Sequence, residues 1–207
     1  MKHFFLIILL ALSVTALGQS HKRHGRGTEF DFTAHAGVNL SQIDGDGSGN
    51  YDHIGFHGAV NTSFPVGDGG LRMVVELGVS QKGSHVNQIN RDIDLLYVEV
   101  PLMLAYRMMD GRLQAEVGVA PAILGRAKVT DAGAYNDLQS NNYKRMDMLP
   151  FCAGAQYLVG DHFGLNLRFN TSMLNVGIEN GTGTYRIFRS NKGQFNRLLS
   201  AGVSYRF

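Results

Sequence analysis

Apolar and polar residues alternate along the chain after Glu29, and this alternation restricts the fold more than any other property of the sequence. In the first run, alternate positions from Phe30 to Leu40 are apolar and the positions between them are polar or small. Period two is that of an extended strand, whose side chains point to opposite faces. The pattern recurs in runs that begin near Ile54, Leu71, Leu96, Leu113, Leu149, Phe163 and Leu199. The sequence therefore predicts eight β-strands.

The connections between these runs alternate in length. Runs two, four and six end in short turns rich in Gly and Asp, at Gly67–Gly70, Asp110–Gly111 and Gly160–Asp161. The other connections are longer and cover residues 43–52, 84–93, 127–145 and 176–194. Short turns at one end and long loops at the other are typical of outer-membrane barrels. The predicted fold is all-β, an eight-stranded antiparallel up-and-down transmembrane β-barrel over residues 30–207.

Residues 1–18 have the pattern of a secretory signal peptide. Lys2 precedes an apolar run over residues 4–12, and small residues at Ala16 and Gly18 predict cleavage before Gln19. The basic stretch 19–29 is then a periplasmic N-terminal tail. Cys152 is the single cysteine, so no intramolecular disulfide stabilises the exported chain. The formal net charge of +2 does not indicate a nucleic-acid partner, and no cofactor is predicted.

The alternation alone also fits a soluble barrel with its apolar face inward. Three features favour an apolar face that meets lipid. Glycines gather on the polar face, where a narrow lumen needs space: Gly37, Gly55, Gly78, Gly118, Gly154, Gly164 and Gly202. Aromatic residues gather on the apolar face near the short turns, as in an interfacial girdle: Phe30, Phe32, Phe64, Tyr106, Tyr157, Phe163, Tyr205 and Phe207.

The third feature is the C-terminal pattern Val203, Tyr205 and Phe207, which resembles the signal that the barrel assembly machinery reads. We therefore expect a protein of the cell outer membrane, surrounded by its lipid. Both termini would be periplasmic and the long loops would face outward.

Charged residues on the polar face are expected to project into the lumen: Arg72, Glu76, Lys82, Glu99, Arg107, Glu116, Arg168 and Arg206. They would form either a charged conduit, a catalytic acid pair or a network of ion pairs that fills the lumen. The network is favoured because buried charges are tolerated when they are paired. His35 and His57 on neighbouring strands suggest hydrogen-bonded histidines or a metal pair. Cys152 is expected to be a small lumen-facing residue rather than a nucleophile.

The first long loop partly matches a calcium-binding pattern. Asp44, Asp46, Ser48 and Asp52 occupy its first, third, fifth and ninth positions. Gly55 stands where a bidentate Glu is required, and the flanking segments are strands. A plain loop that uses these residues for turn chemistry is therefore the favoured interpretation, and no metal is predicted.

The last long loop carries an aromatic and basic segment with Tyr185, Arg186, Phe188, Arg189 and Lys192. These residues are candidates for contact with another outer-membrane protein or with lipid A phosphates. A strand extension above the membrane is an equally good interpretation.

Four segments resemble the PorT-like outer-membrane β-barrel proteins, which are found mostly in the Bacteroidota: GVNLSQI, YVEVPLMLAYR, AEVGVAPAIL and AGVSYRF. The resemblance implies eight antiparallel strands in the outer membrane. Most members have no assigned role, and some are associated with type IX secretion or gliding.

The predicted function is that of a small closed barrel without enzymatic activity. It would serve as a structural or interaction component of the envelope, as an accessory subunit of a larger outer-membrane complex. The alternatives are a narrow transport pore and, third, an enzyme that modifies envelope lipids.

Overall fold

The computed structural model describes residues 30–44, 51–67, 69–86, 90–132, 134–135, 143, 146–176 and 194–207. These residues form one antiparallel β-barrel, and they contain no helix that is long and apolar enough to cross a membrane. The strand segments are β1 (Asp31–Asp44), β2 (His53–Pro65), β3 (Leu71–Val86), β4 (Arg91–Glu99), β5 (Leu102–Met108), β6 (Leu113–Val119), β7 (Ala122–Asp131), β8 (Ala134–Tyr135), β9 (Met146–Asp147), β10 (Pro150–Leu158), β11 (Phe163–Ser172) and β12 (Phe195–Arg206). The predicted signal peptide and tail lie outside the described residues.

The segments make eight crossings of the barrel, because prolines interrupt two of the crossings. Pro101 separates β4 from β5, and Pro121 separates β6 from β7. Proline has no N–H to donate to a sheet. Its carbonyl still accepts, so the Glu76 N–H bonds to the Pro101 oxygen at 3.0 Å and the Val100 N–H bonds to the Pro121 oxygen at 2.9 Å. With β9 and β10 forming the sixth crossing, the predicted eight-stranded antiparallel barrel is confirmed.

The barrel closes between its first and last strands. β1 pairs with β2 on one side and with β12 on the other, in a register that runs from Thr33 opposite Arg206 to Asp44 opposite Phe195. The N–H of Phe207 also donates to the carbonyl of Phe32 at 3.0 Å. Pairing of β1 with β12 leaves neither of these two strands with an unpaired edge, as a hydrocarbon environment requires.

The outer surface of the barrel is an apolar belt. Its exposed residues include Phe32, Val38, Ile54, Phe56, Val60, Leu77, Val79, Leu104, Tyr106, Val117, Tyr157, Phe163, Leu165, Leu167, Leu199, Val203, Tyr205 and Phe207. The alternation that begins at Leu96 predicts Val100 on this face, but Val100 is buried. The reason is that it stands next to Pro101, where the alternation of β4 ends before that of β5 begins.

Two of the predicted long connections are shorter than expected. Residues 84–93 are mostly strand, since β3 continues to Val86 and β4 begins at Arg91. β7 likewise continues to Asp131, with a register shift beside Gly125. These extensions are stabilised by an apolar cluster inside the barrel, which we call the apolar plug: Ile43, Ile93, Leu95, Tyr97, Ala122, Val129 and Tyr143. The end of the barrel with the plug is the long-loop end, and the opposite end is the short-turn end.

Candidate functional site

The middle of the lumen is crossed by the guanidinium of Arg168. Its two terminal nitrogens donate to the carboxylate of Glu76 at 2.6 and 3.0 Å, and one of them also reaches Glu116 at 3.2 Å. His35 contacts the Glu76 carboxylate with Nε2 at 2.9 Å. Glu76 and Glu116 are both buried. This arrangement neutralises the charges inside the barrel instead of leaving any of them facing an open channel.

A second set of charges lies below it, toward the short-turn end. Arg72 and Arg107 both contact Oδ2 of Asp31, at 3.0 and 2.5 Å. Arg107 also donates to Gln114 at 2.8 Å, and Gln114 donates to Glu116 at 2.8 Å. The two sets are therefore joined in one chain of polar contacts, which we call the lumen network: Arg72, Asp31, Arg107, Gln114, Glu116, Arg168, Glu76 and His35.

A separate ion pair lies toward the long-loop end. The ammonium of Lys82 is 2.6 Å from Glu99 and 5.0 Å from the centre of the Tyr97 ring. Asp147 accepts a hydrogen bond from the hydroxyl of Ser172 in the same part of the barrel. Lys82, Tyr97 and Asp147 are almost fully buried. The long-loop end of the lumen is thus filled by paired polar groups and by the apolar plug.

The free space beside Arg168 in the middle of the lumen is very small. A cavity of about 20 Å³ is lined by His35, His57, Glu76, Glu99 and Arg168, among others. A cavity of this size holds about one water molecule. Around Arg168 the lumen is therefore a packed interior, as expected for a barrel of eight strands, and among the described residues larger clefts lie toward the short-turn end.

The predicted lumen charges do not all belong to one network. Arg72, Glu76, Arg107, Glu116 and Arg168 are members, and Lys82 pairs with Glu99 apart from them. Arg206 lines a cleft of about 470 Å³ at the short-turn end. The sequence interpretation missed Asp31, although it shares the polar face of the first strand with His35.

The two lumen histidines do lie side by side. The ring centres of His35 and His57 are 5.7 Å apart. His35 is bound to Glu76, and Nδ1 of His57 contacts Oδ1 of Asn39 at 2.9 Å. No group of three or more metal-binding side chains occurs among the described residues. Both rings are therefore hydrogen-bonded within the wall of the barrel.

Ser41 and His53 are in contact and are residue types that hydrolases use for catalysis, but the Ser41 hydroxyl is not accessible to a substrate. Ser41 Oγ lies 3.2 Å from His53 Nδ1. The same hydroxyl accepts a hydrogen bond from the N–H of Gly83 at 2.9 Å and reaches its carbonyl at 3.1 Å. Ser41 is almost fully buried. A nucleophile has to reach its substrate, so this serine is part of the strand packing. Cys152 is also fully buried, in an apolar cluster with Val74 and Met103.

Two of the four calcium-ligand candidates lie in the described part of the chain, and both bind other groups. Asp44 accepts from Gln42 at 2.6 Å and pairs with Arg197 at 2.9 Å. Asp52 accepts the N–H of His85 at 3.1 Å. Asp46 and Ser48 lie outside the described residues.

The C-terminal residues of the predicted assembly signal all face outward. Val203, Tyr205 and Phe207 are exposed on β12 and just after it. Tyr205 makes edge contacts with Phe163 and Phe207, with ring centres 5.1 Å apart in both pairs. The candidates in the last loop lie outside the described residues: Tyr185, Arg186, Phe188, Arg189 and Lys192.

The fold is similar to that of several solved structures, two of which are bacterial proteins. The attachment invasion locus protein Ail of Yersinia pestis, in complex with the heparin analogue sucrose octasulfate, matches with a TM-score of 0.51 and 15% identity, over 86% of this chain and 99% of Ail. Neisserial surface protein A matches with a TM-score of 0.49 and 18% identity, over 88% of this chain and all of that protein. At these identities the likeness concerns the fold alone. No curated protein matches the sequence significantly.

The sequence itself matches a family. The model of the outer membrane protein beta-barrel domain matches residues 18–176, which is more than half of the chain. This match agrees with the closed antiparallel barrel and with the apolar belt around it. The chain therefore belongs to the outer membrane protein beta-barrel domain family.

Proposed function

We propose that this protein is a closed, non-enzymatic barrel that acts through its long-loop end, as a structural or interaction component of the outer membrane. The observation that carries the proposal is the filled lumen. The lumen network crosses the interior, and the apolar plug covers it toward the long-loop end. A barrel that is filled in this way acts through its outside surfaces.

The small free space beside Arg168 argues against the alternative function, transport through the lumen. A conducting path needs a continuous column of water, whereas the free space beside Arg168 holds about one water molecule. Opening such a path would require Arg168 to leave two buried carboxylates, Glu76 and Glu116. Separating a buried ion pair costs about 3 kcal/mol or more.

Catalysis on envelope lipids has even less support. The Ser41 hydroxyl is buried and engaged with the backbone of Gly83. Several carboxylates of the lumen pair with cations: Asp31, Glu76 and Glu116 with arginines, and Glu99 with Lys82. These carboxylates are engaged inside the barrel and do not face a substrate. A non-enzymatic role is therefore part of the proposal.

The long-loop end is the surface we assign to partners. It carries the connections 45–50, 87–89 and 177–193, and the aromatic and basic residues of the last loop are suited to contacts with a protein. Ail, which shares this fold, is described in complex with a heparin analogue, so it is one case in which a barrel of this kind binds a molecule. The PorT-like resemblance adds the proposal that the partner is a larger outer-membrane complex, such as one for type IX secretion.

A conductance measurement tests the closed state. We expect the purified barrel to give no channel steps of porin size in planar bilayers, with a known porin as the positive control. Insertion is verified in the same preparation by the gel mobility of the folded barrel before and after heating. Stable open steps of porin size from a folded sample would contradict the proposal and favour a transport function.

A further inference from the structure

Two cations stand on the outer surface of the barrel directly above the apolar belt. Arg126 and Lys128 alternate with the inward residues Ala127 and Val129 on β7, and both are exposed. Residues two apart on a strand share a face, about 7 Å from each other. Arg126 pairs in register with Leu96, whereas the next outward pair below it, Ile123 with Val98, is apolar. The boundary between the belt and the polar rim therefore passes at Arg126.

Among the described residues, the acidic groups of the neighbouring strand β4 are engaged elsewhere. Asp94 stands opposite Lys128 in register, but its carboxylate accepts a hydrogen bond from Gln81 on β3 at 2.9 Å. Asp92 contacts His85, which also belongs to β3. Since β3 and β7 flank β4 on opposite sides, both carboxylates are turned away from β7.

The third acid on this side is also occupied. Oδ1 of Asp131 accepts a hydrogen bond from Nε of Arg91 at 2.5 Å. Neither Arg126 nor Lys128 has a hydrogen-bond or ion-pair partner among the described residues. Two adjacent positive charges therefore remain available at the level where lipid headgroups begin.

We propose that Arg126 and Lys128 bind the phosphate of a lipid A headgroup in the outer leaflet. Arginine suits a phosphate because its guanidinium donates two parallel hydrogen bonds. Both side chains are long enough to lay their stems along the belt and place their charges among the headgroups. The acyl chains of a lipid A molecule also cover the apolar surface below the two cations, at Val98 and Ile123. A soluble anion leaves this surface uncovered.

The site goes beyond the function proposed above and shares with it only the outward orientation of the long-loop end. It requires neither a closed lumen nor a protein partner. A binding measurement in detergent depends on none of these properties, so its failure leaves the conductance result unaffected.

The test is native mass spectrometry of the detergent-purified barrel during titration with diphosphorylated lipid A. The comparison ligands are the same lipid without its phosphates and inorganic phosphate. We expect a one-lipid complex with the diphosphorylated form and much weaker binding of the other two. The double variant R126Q/K128Q should bind about twenty-five-fold more weakly, on the basis of roughly a fivefold contribution from each cation at a charged lipid surface.

Matched variants make the result specific. Arg112 is an exposed arginine in the turn between β5 and β6, at the short-turn end, so R112Q removes one charge far from the site and should bind like the wild type. The charge-conserving variant R126K/K128R should retain most of the binding. Gel mobility of the unheated sample establishes that each variant is folded.

Three results would overturn the proposal. The first is unchanged lipid A binding by folded R126Q/K128Q. The second is an equal loss in R112Q, which would indicate a general charge effect. The third is binding of inorganic phosphate as tight as that of the lipid, which would identify a soluble anion as the ligand.

Discussion

Arg168 is the residue at which the charges of the lumen converge. Its guanidinium bridges carboxylates from two different parts of the barrel wall, Glu76 on β3 and Glu116 on β6. The contact with Glu76 is bidentate, and that carboxylate is further held by His35. Bidentate arginine–carboxylate contacts are among the strong polar interactions in proteins. The two carboxylates should therefore differ in how much they stabilise the barrel.

We predict that Glu76→Gln destabilises the folded barrel by about 3 kcal/mol, because it leaves the buried charge of Arg168 with one weaker partner. Glu116→Gln should cost about 1 kcal/mol, since it removes a single contact at 3.2 Å. Urea unfolding of the barrel in lipid vesicles measures both values. Equal losses in the two variants would show that Arg168 does not depend on Glu76 in particular.

The alternation of residues predicted which charges enter the lumen, but it could not predict their partners. Arg168 and Glu76 are 92 positions apart in sequence, and they meet only because the strands are staggered around the barrel. Stagger depends on the pairing register, which period two does not specify. The same limit explains why Lys82 and Glu99, predicted as part of one network, form a separate pair.

At the scale of the strand, glycine allows neighbouring backbones and lumen side chains to approach closely. A Cβ on Gly37 would overlap the carbonyl oxygen of Ala201 on β12 and would lie 2.7 Å from Cε1 of His57. The backbone of β12 cannot move away without breaking the pairing that closes the barrel. Gly160, in the turn before β11, has open space at the same position.

We predict that Gly37→Ala lowers the stability of the barrel by about 2 kcal/mol through overpacking, whereas Gly160→Ala changes it little. The measurement is the urea midpoint in vesicles, together with the fraction of each variant that reaches the folded gel mobility. A tolerated Gly37→Ala would mean that β1 and β12 can separate enough to admit a methyl group.

The apolar plug is the element that the sequence interpretation missed. Ile93, Leu95 and Tyr97 share the alternate positions of Glu99, so they belong to its face and not to the lipid face. The alternation in residues 93–99 carries this signal, but the spacing of the strand runs predicts a long connection over residues 84–93. In the structure, the polar residues Asp92 and Asp94 face outward above the belt while the apolar ones fill the lumen. The bulge beside Gly125 was not predictable, because it arises from pairing between β4 and β7.

On the scale of the whole molecule, the belt, the filled lumen and the long-loop end have different roles. The belt is the surface that meets lipid, and the lumen network and the apolar plug fill the middle and the long-loop end of the interior. The sequence of the long loops is not constrained by contact with lipid or by packing inside the lumen. The general fold was predictable because lipid requires an apolar face and a closed sheet. The identity of a partner was not predictable, because lipid imposes no comparable requirement on the sequence of the loops.

Hydrogen bonds join the residues at the base of the last long connection. The N–H of Val176 bonds to the carbonyl of Gln194 at 2.9 Å, and the N–H of Gln194 bonds to Asn175 Oδ1 at 2.8 Å. The two ends of the connection are thus already joined at its base. Replacing residues 177–193 with a short Asn-Gly turn should therefore give a folded barrel.

We predict that this replacement abolishes the capture of a stoichiometric outer-membrane partner in a cross-linked pull-down of the tagged protein from native membranes. The matched control shortens the first connection, residues 45–50, in the same way and should retain the partner. Mass spectrometry identifies the captured protein, and gel mobility verifies the fold of each variant. A partner that is retained without residues 177–193 would assign the contact to another surface. A wild-type barrel that is recovered alone would contradict the accessory-subunit proposal.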